Sequence, residues 1–390
     1  MCAREQPLVA ATVKMLRGAG DLAAAEWNGL ARRGFHLHAW FLAAERCGWD
    51  PRHVAVHGPS GVQAVVPAYL TGVKTLNNLH DRWLGPLRRV MPLAGVSLRP
   101  VISVQSPFAL VPDPLGDPAE LSAAILHRVF EALEARAEVD EAKAVAWACV
   151  DEDNAALLQV ARDRGYAILY AGASARLQVQ WASFEEYVAS RSKGVRRTIK
   201  ADLEAMRSAG LQTSVVSDFR AAAPAMSALY RKAFRLRNGR EAPVPEGFFE
   251  ELSRRPSPDI LAQLTWSGAR LVGTSVNLRT ERLLEGTFGA FTPEHRAGPA
   301  YFNDLLYEPV RLACRHGIEA IDLGATALYA KALRGAALRR RVILIRGTSP
   351  SRHRVIRAIG QLVALQTEWK ERRALGPLWS RHLSSREDSR

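Results

Sequence analysis

Cysteine is scarce. The 390 residues hold four, Cys2, Cys47, Cys149 and Cys314, far apart and with no CxxC pair. That spacing excludes a disulfide framework and a zinc knuckle, and it fits a reducing compartment, so a cytoplasmic location is expected. Long apolar runs are missing as well. No stretch reaches the ~18 residues that a membrane-spanning helix requires. The start carries a short apolar patch, Leu8 to Val13, without the ordered regions of a secretory signal, and none is expected. Common catalytic signatures are also absent: no GxSxG, no GxxxxGKS/T, no HExxH, and no GxGxxG behind a strand. Ten histidines show no metal-ligand spacing, the nearest being His36 with His38 and His53 with His57, so no metal is expected.

What is present is positive charge. Lys and Arg number 53 against 39 Asp and Glu, a net charge of +14. Such an excess points to a polyanionic partner, unless it reflects the abundance of Ala and Arg throughout the chain. The excess rises toward the end, through Arg339, Arg340, Arg341, Arg346, Arg352, Arg354, Arg357, Lys370, Arg372 and Arg373. Hydrophobic residues at 48% and charged residues at 24% are globular values and exclude wholesale disorder.

Apolar periodicity and turn residues lay out the elements. Helices are predicted over Leu22–Leu30, Ala39–Cys47, Pro118–Ala137, Asn154–Arg164, Ser190–Ser208, Phe219–Arg237, Pro299–His316 and Arg352–Arg373. Strands are predicted over His53–His57, Val62–Leu70, Ala144–Val150, Tyr166–Tyr170, Arg176–Trp181, Ile260–Trp266, Arg270–Arg279, Leu283–Phe291, Ala320–Leu323 and Val342–Arg346. Lys74 to Val111 reads as loops and short strands over a cleft. Ser183 with Glu186 three residues on is a capping box. The hairpin around Gly58–Gly61 and the one around Ser267–Gly268 each lead to alternating strands and helices, so the chain reads as a quasi-duplication. The expected class is α+β (mixed α/β), as two tandem modules, residues 1–172 and 173–350, followed by a basic helix and tail over 351–390.

Two segments carry chemistry. Phe291 to Tyr301 joins a strand to a helix, with His295, Gly298 and Ala300 standing where a GNAT-type acyltransferase writes its pyrophosphate loop, Gln/Arg-x-x-Gly-x-Gly/Ala. Free N–H groups at a helix N-terminus hold phosphate there. Pro299 has none, which weakens the capacity for coenzyme A. The second segment is Gly324 to Gly335, with Tyr329, Lys331 and Arg334 inside it.

Taken in order, Phe35-His-Leu-His-Ala-Trp40, Ser183 to Tyr187, Lys193 to Lys200, Arg237-Asn-Gly239, Tyr301 to Gly317 and Gly324…Lys331…Gly335 resemble the Fem-type peptidoglycan branch transferases and the related BioF-like GNAT domains. The resemblance runs from Phe35 to Arg346. It implies two tandem GNAT-like domains, an aminoacyl-tRNA donor and no bound cofactor. It implies an acceptor amine on a nucleotide-linked peptide. It also implies that Lys331 stabilises charge on the reacting acyl group. The chain departs from the family pattern in two places. It has no evident helical-hairpin insertion in the second module and no Gln-Ser between Phe35 and Trp40.

Aminoacyl transfer suits such residues without a nucleophilic triad. The ester is already activated, so the enzyme aligns the amine, accepts its proton and stabilises an oxyanion. The candidate catalytic residues are Lys331 and Tyr329, and the candidate substrate-binding residues are Trp40, Arg237, Tyr301 and Arg334. Arg196, Arg197, Lys200 and Arg207 form the candidate tRNA-phosphate stripe. Each has a bland alternative. Lys331 would be a solvated lysine at a helix end, Tyr301 and Tyr329 would pack, and Arg237 would sit beside a helix C-terminus. The stripe would be a solvated face with partners at Asp202 and Glu204.

The leading reading is an aminoacyltransferase that forms an amide, its acceptor a peptidoglycan precursor or a peptide-like intermediate of antibiotic biosynthesis. A coenzyme A-dependent N-acyltransferase is the first alternative, and a non-catalytic nucleic-acid or cell-wall recognition module the second. Peripheral membrane contact through the tail helix stays open, though its apolar face (Val355, Ile356, Ile359, Leu362, Val363 and Leu365) is expected to pack on the second module.

Overall fold

The structure, a computed structural model, describes residues 11–383 apart from Ser60, residues 72–98, Leu110 and Ala297. The loops expected from Lys74 to residue 98 lie outside the described residues. Two compact units emerge. One holds residues 1–32, 36–169 and 342–363, and the other residues 33–35, 170–341 and 364–390. The helix expected to form a separate tail is thus divided between the two.

The first unit contains β1 (Thr12–Leu16), α1 (Ala24–Gly29), α2 (His38–Arg46), β2 (Asp50–Pro51), β3 (His53–Gly58), β4 (Gly61–Val66), β5 (Ala68–Thr71), β6 (Val101–Val104), β7 (Leu115–Gly116), α3 (Ala123–Val139), β8 (Ala144–Asp151) and α4 (Ala155–Asp163). The strand predicted as Val62–Leu70 is two strands. Pro67 lacks an N–H for the ladder, and the chain changes sheets there. One sheet runs β1-β3-β4-β7, and the other runs β8-β6-β5-β2 in this unit. The apolar run of β8 is buried almost throughout, and Trp147 at its centre stacks on Phe130 of α3 at 4.9 Å. Ser122 and Asn154 cap the two covering helices by accepting from Ile125 N and Leu157 N.

The second unit takes in most of β9 (Ala167–Gln178), then α5 (Phe184–Ala189), α6 (Lys193–Ser208), β10 (Leu211–Val216), α7 (Ala223–Asn238), α8 (Phe248–Ser253), β11 (Ile260–Ser267), β12 (Arg270–Arg279), β13 (Leu283–Phe291), α9 (Pro299–Phe302), α10 (Glu308–His316), β14 (Ala320–Gly324), α11 (Leu328–Leu333) and the start of β15 (Ala337–Gly347). The chain closes with α12 (Pro350–Leu375) and α13 (Pro377–His382). Strand order in this unit is β10-β11-β12-β13-β14-β9-β15. β13 and β14 are parallel, while the pairs from β10 to β13, and β14 with β9, are antiparallel. The two predicted strands Tyr166–Tyr170 and Arg176–Trp181 are one strand, β9. The hairpin β11–β12 lies inside this sheet, whereas β3–β4 of the first unit lies in its separate four-stranded sheet, so the two units are not copies strand for strand.

Two departures shape the site. β13 and β14 pair over three rungs only, Leu283–Glu285 with Ala320–Asp322, and beyond them β13 runs on to Phe291 paired with β12 on its other edge. The helix predicted over Pro299–His316 is interrupted by a π turn, Asn303–Tyr307, between α9 and α10. Pro309 explains the break, since it cannot donate an N–H to the preceding turn. The wider turn carries Asp304 into the interior.

Candidate active site

Lys331 sits on a helix that the chain reaches by two reversals. Gly324 takes φ 70° at the end of β14, and Ala327, an L-residue, takes φ 52° before α11. The helix therefore folds back over the strand it has just left. Lys331 is 7% exposed, and its ammonium donates to the backbone carbonyl of Leu323. Burial pulls its pKa down to about 8, against the opposing pull of the Asp322 carboxylate. An ammonium offers three donors. A lysine kept in this state can hold negative charge or give up a proton near neutral pH.

Beside it lies a charged rung. Register places Glu285 of β13 opposite Asp322 of β14, and Asp322 opposite Arg176 of β9. Side chains on one rung share a face. This face carries charge, while the adjacent positions Leu284, Ile321 and Leu177 point into a core with Tyr307, Val310 and Ala313. Arg33 closes the rung. Its Nε and Nη2 donate to Glu285 at 2.8 and 2.6 Å, and Nη2 also reaches Asp322 at 2.9 Å. Gly34 makes this reach possible, because a Cβ there would fall 2.4 Å from Leu278 Cβ of β12. Phe35 N adds a third donor to Glu285 at 3.2 Å. Glu285 is fully buried, and burial pushes its carboxyl above the usual range despite Arg33. Arg176 is held below the ordinary guanidinium range by burial and by Arg339 and Arg33, and its Nε has no hydrogen-bond partner among the described residues.

A second network ties α6, the π turn and α11 together. Tyr307 donates to Asp202 at 2.5 Å, Arg334 Nε donates to the Tyr307 hydroxyl at 3.2 Å, and the Arg334 guanidinium lies 4.0 Å above the Phe302 ring. The Arg334 carbonyl accepts from Tyr187 and Arg191. Gly335, at φ 97°, leaves room for the Arg191 guanidinium, which a Cβ would overlap. In the π turn, Asp304 accepts from Thr265 at 2.8 and 2.7 Å, from Thr213 at 3.3 Å and from Asn303 at 3.2 Å. Burial raises its pKa to about 6.

The residues singled out in the sequence are placed as follows. Tyr329 is 50% exposed, and two helical residues from Lys331 it points the opposite way, so the two do not converge. Trp40 is fully buried in the core of the first unit, where its indole donates to Pro107 O at 2.8 Å. Arg334 is buried and engaged in the network above rather than open to a substrate. Arg196 leaves the basic stripe to donate to the carbonyls of Ala189 and Arg191 at the turn between α5 and α6. Asp202 faces Tyr307 and Arg334, so it does not neutralise the stripe. Arg197, Lys200 and Arg207 remain exposed on α6, with Arg207 on Glu204 at 2.6 Å. Tyr301 is half-buried against Phe291 and Phe302, and Arg237 is exposed in the last turn of α7. Among the described residues, no group of His, Cys, Asp or Glu is placed to hold a metal ion.

The profile of the FemAB-like family, described as peptidoglycan biosynthesis/recognition, matches residues 19–357. The chain belongs to this family. The coarse assignment that membership carries is an acyltransferase-type enzyme. No curated protein matches the sequence. Among solved structures, FemX is similar at 12% identity and a TM-score of 0.57, covering 87% of this chain and 99% of that one. The C-terminal DUF2156 domain of a protein described as a lysylphosphatidylglycerol synthetase from Agrobacterium fabrum is similar at 14% identity and 0.54, covering 86% and 94%. L-PGS from Bacillus licheniformis is similar at 12% and 0.50, covering 83% and 92%. At these identities the likeness is one of fold, and it agrees with the mixed α/β class. No helix among the described residues is long and apolar enough to cross a membrane.

Sequence reasoning missed Arg33, Glu285, Asp322, Arg176 and Asp304. A signal existed for two of them: Glu285 and Asp322 each interrupt an otherwise apolar strand, Leu-Leu-Glu-Gly-Thr-Phe and Ala-Ile-Asp-Leu-Gly. A charge in such a place is either paired or chemical.

Proposed function

We propose that this FemAB-like chain forms an amide by moving an aminoacyl group from aminoacyl-tRNA to an amine acceptor, a peptidoglycan precursor or a peptide-like metabolite. The observation that carries the reading is the buried Lys331 ammonium, drawn to about pH 8 at the end of β14. An activated ester needs charge stabilisation on its carbonyl oxygen more than it needs a nucleophile. A desolvated ammonium supplies that, and the proton the attacking amine releases passes to the leaving tRNA ribose oxygen as its ester bond breaks. Exposed Arg197, Lys200 and Arg207 suit contact with a phosphate backbone. Tyr301 and Arg237 would stand at the acceptor.

The coenzyme A alternative has less behind it. Pro299 offers no N–H at the start of α9, and the Tyr301 N–H is already given to Gly298 O at 3.1 Å. Ala297 of that loop lies outside the described residues.

The test is incubation with a mixed pool of charged tRNAs and candidate amines, read by mass spectrometry. New amide products that require charged tRNA, and that fall ~100- to 1000-fold in Lys331→Met, are expected. Products that appear with acyl-coenzyme A and not with charged tRNA would overturn the donor. Full activity in Lys331→Met would overturn the role of the lysine.

A further inference from the structure

The C-terminal helix α12 presents a face that the fold leaves uncovered. Leu362, Leu365 and Trp369 are 63%, 65% and 58% exposed, and their spacing of i, i+3 and i+7 sets them in one stripe. The residues of α12 that do pack, Ile356, Val363 and Leu375, lie on its other side. Large apolar side chains are seldom exposed in a row on a soluble surface without a purpose.

The charge around this stripe is mostly positive. α12 carries six Lys and Arg residues, Arg352, Arg354, Arg357, Lys370, Arg372 and Arg373. Its two acids are both engaged by partners within the protein. Glu371 accepts from the Tyr170 hydroxyl at 2.5 Å and from Ala173 N at 3.3 Å. Glu368 accepts from Arg340 at 3.4 Å. Arg373 lies 5.6 Å from the centre of the Trp369 ring and borders the stripe on one side with Lys370; Arg354 borders it on the other, where Arg372 lies 5.5 Å from the centre of the Trp379 ring. Glu368, its side chain 30% exposed, is the acid nearest the stripe, and it is paired with Arg340.

We propose that this face of α12 docks the protein on an anionic lipid bilayer. Two leucines and a tryptophan enter the headgroup region while the flanking guanidiniums and the Lys370 ammonium meet lipid phosphates. Tryptophan favours that interfacial depth. RNA is a poorer match, because two leucines offer no stacking surface for bases. A second copy of the chain is a poorer match too, since the cations bordering the stripe would meet like charges across the symmetric contact. The proposal stands apart from the acyl-transfer reading, because its readout involves no substrate.

The experiment is flotation of the full chain with vesicles of phosphatidylcholine alone, or doped with phosphatidylserine. Binding to the doped vesicles, weakened at least ~10-fold by the combined Leu362→Ser, Leu365→Ser and Trp369→Ser substitutions, is expected. Arg372→Gln with Arg373→Gln should weaken it ~5-fold or more per charge, at about 1 kcal/mol each. The substituted side chains are exposed, so folding is checked by an unchanged melting transition, and the charge-only variant offers a second, independent reading. Equal binding to neutral vesicles, or doped-vesicle binding unchanged in both variants, would overturn the proposal. So would dimerisation in sedimentation velocity that the triple variant abolishes, or flotation seen only when RNA is present.

Discussion

Lys331 donates its ammonium proton to the carbonyl of Leu323, eight residues earlier and on the strand that precedes it. This bond holds a cation at the end of β14 in a place that burial makes costly. The lysine is thus a source of strain and, on the reading above, of activity.

The first prediction follows from the sign of that strain. The folded pKa of Lys331 is about 8, below the ordinary lysine value of 10.5. The stabilising contribution is complete only above pH ~10.5 and is lost as pH falls through about 8. Lys331→Met should therefore stabilise the protein at pH 7, by about 1–3 kcal/mol, and the gain should shrink by pH 10. Urea denaturation at the two pH values measures it. A lysine with a purely structural role would show a loss of stability at both.

Asp304 predicts a dependence of the opposite sense. Burial raises its pKa to about 6 from an ordinary 3.8. Its contribution is full below pH ~3.8 and is lost as pH rises through about 6. Asp304→Asn should be more stable than the parent above pH 7, with the advantage gone near pH 4. Thermal melts across that range decide the matter.

For Arg33 the expectation is a large loss. It is the cation bound directly to Glu285, which has no exposed surface. Arg33→Ala should cost about 3–5 kcal/mol at pH 7, because a buried carboxylate is left uncompensated. Adding Glu285→Gln to Arg33→Ala should restore a good part of it. A double-mutant cycle by denaturation measures the coupling, and additive losses would contradict the pairing.

The stripe on α6 predicts a salt response. If tRNA is the donor, affinity should fall steeply between ~50 and ~200 mM salt. Lys200→Ala and Arg197→Ala should each weaken binding and lower the salt slope by about one. Arg196→Ala should act through stability instead, since Arg196 holds the turn between α5 and α6. Filter binding over a salt series separates the two effects.

How much of this was legible in the sequence depended on range. Local features read through. Ser183 accepts from Glu186 N at 3.1 Å, Asn154 caps α4, and Gly165 and Gly317 end their helices at positive φ, all as the residues announced. Distant partners did not. The stretch around Gly172 looks like a turn between two strands, yet Glu371, 198 residues beyond Ala173, binds that backbone and keeps β9 continuous. β10, α8 and α11 were missed because their sequences carry little periodicity over a short span. Lys331 was singled out from its motif. The rung that surrounds it was not, because Arg33 lies 252 residues before Glu285 and only folding joins them.

The surplus residue in the turn over Asn303–Tyr307 has a consequence for how this helix tolerates change. Point substitutions there leave the count of residues intact. Removing one would take the extra residue out of the turn while Pro309 still withholds its N–H. It would also rotate α9 by about 100° against α10. Asp304 would swing off Thr265, and Phe302 would leave the underside of Arg334. An indel scan across 299–316 should accordingly find lengths more strictly kept than identities, the reverse of what an exposed loop shows.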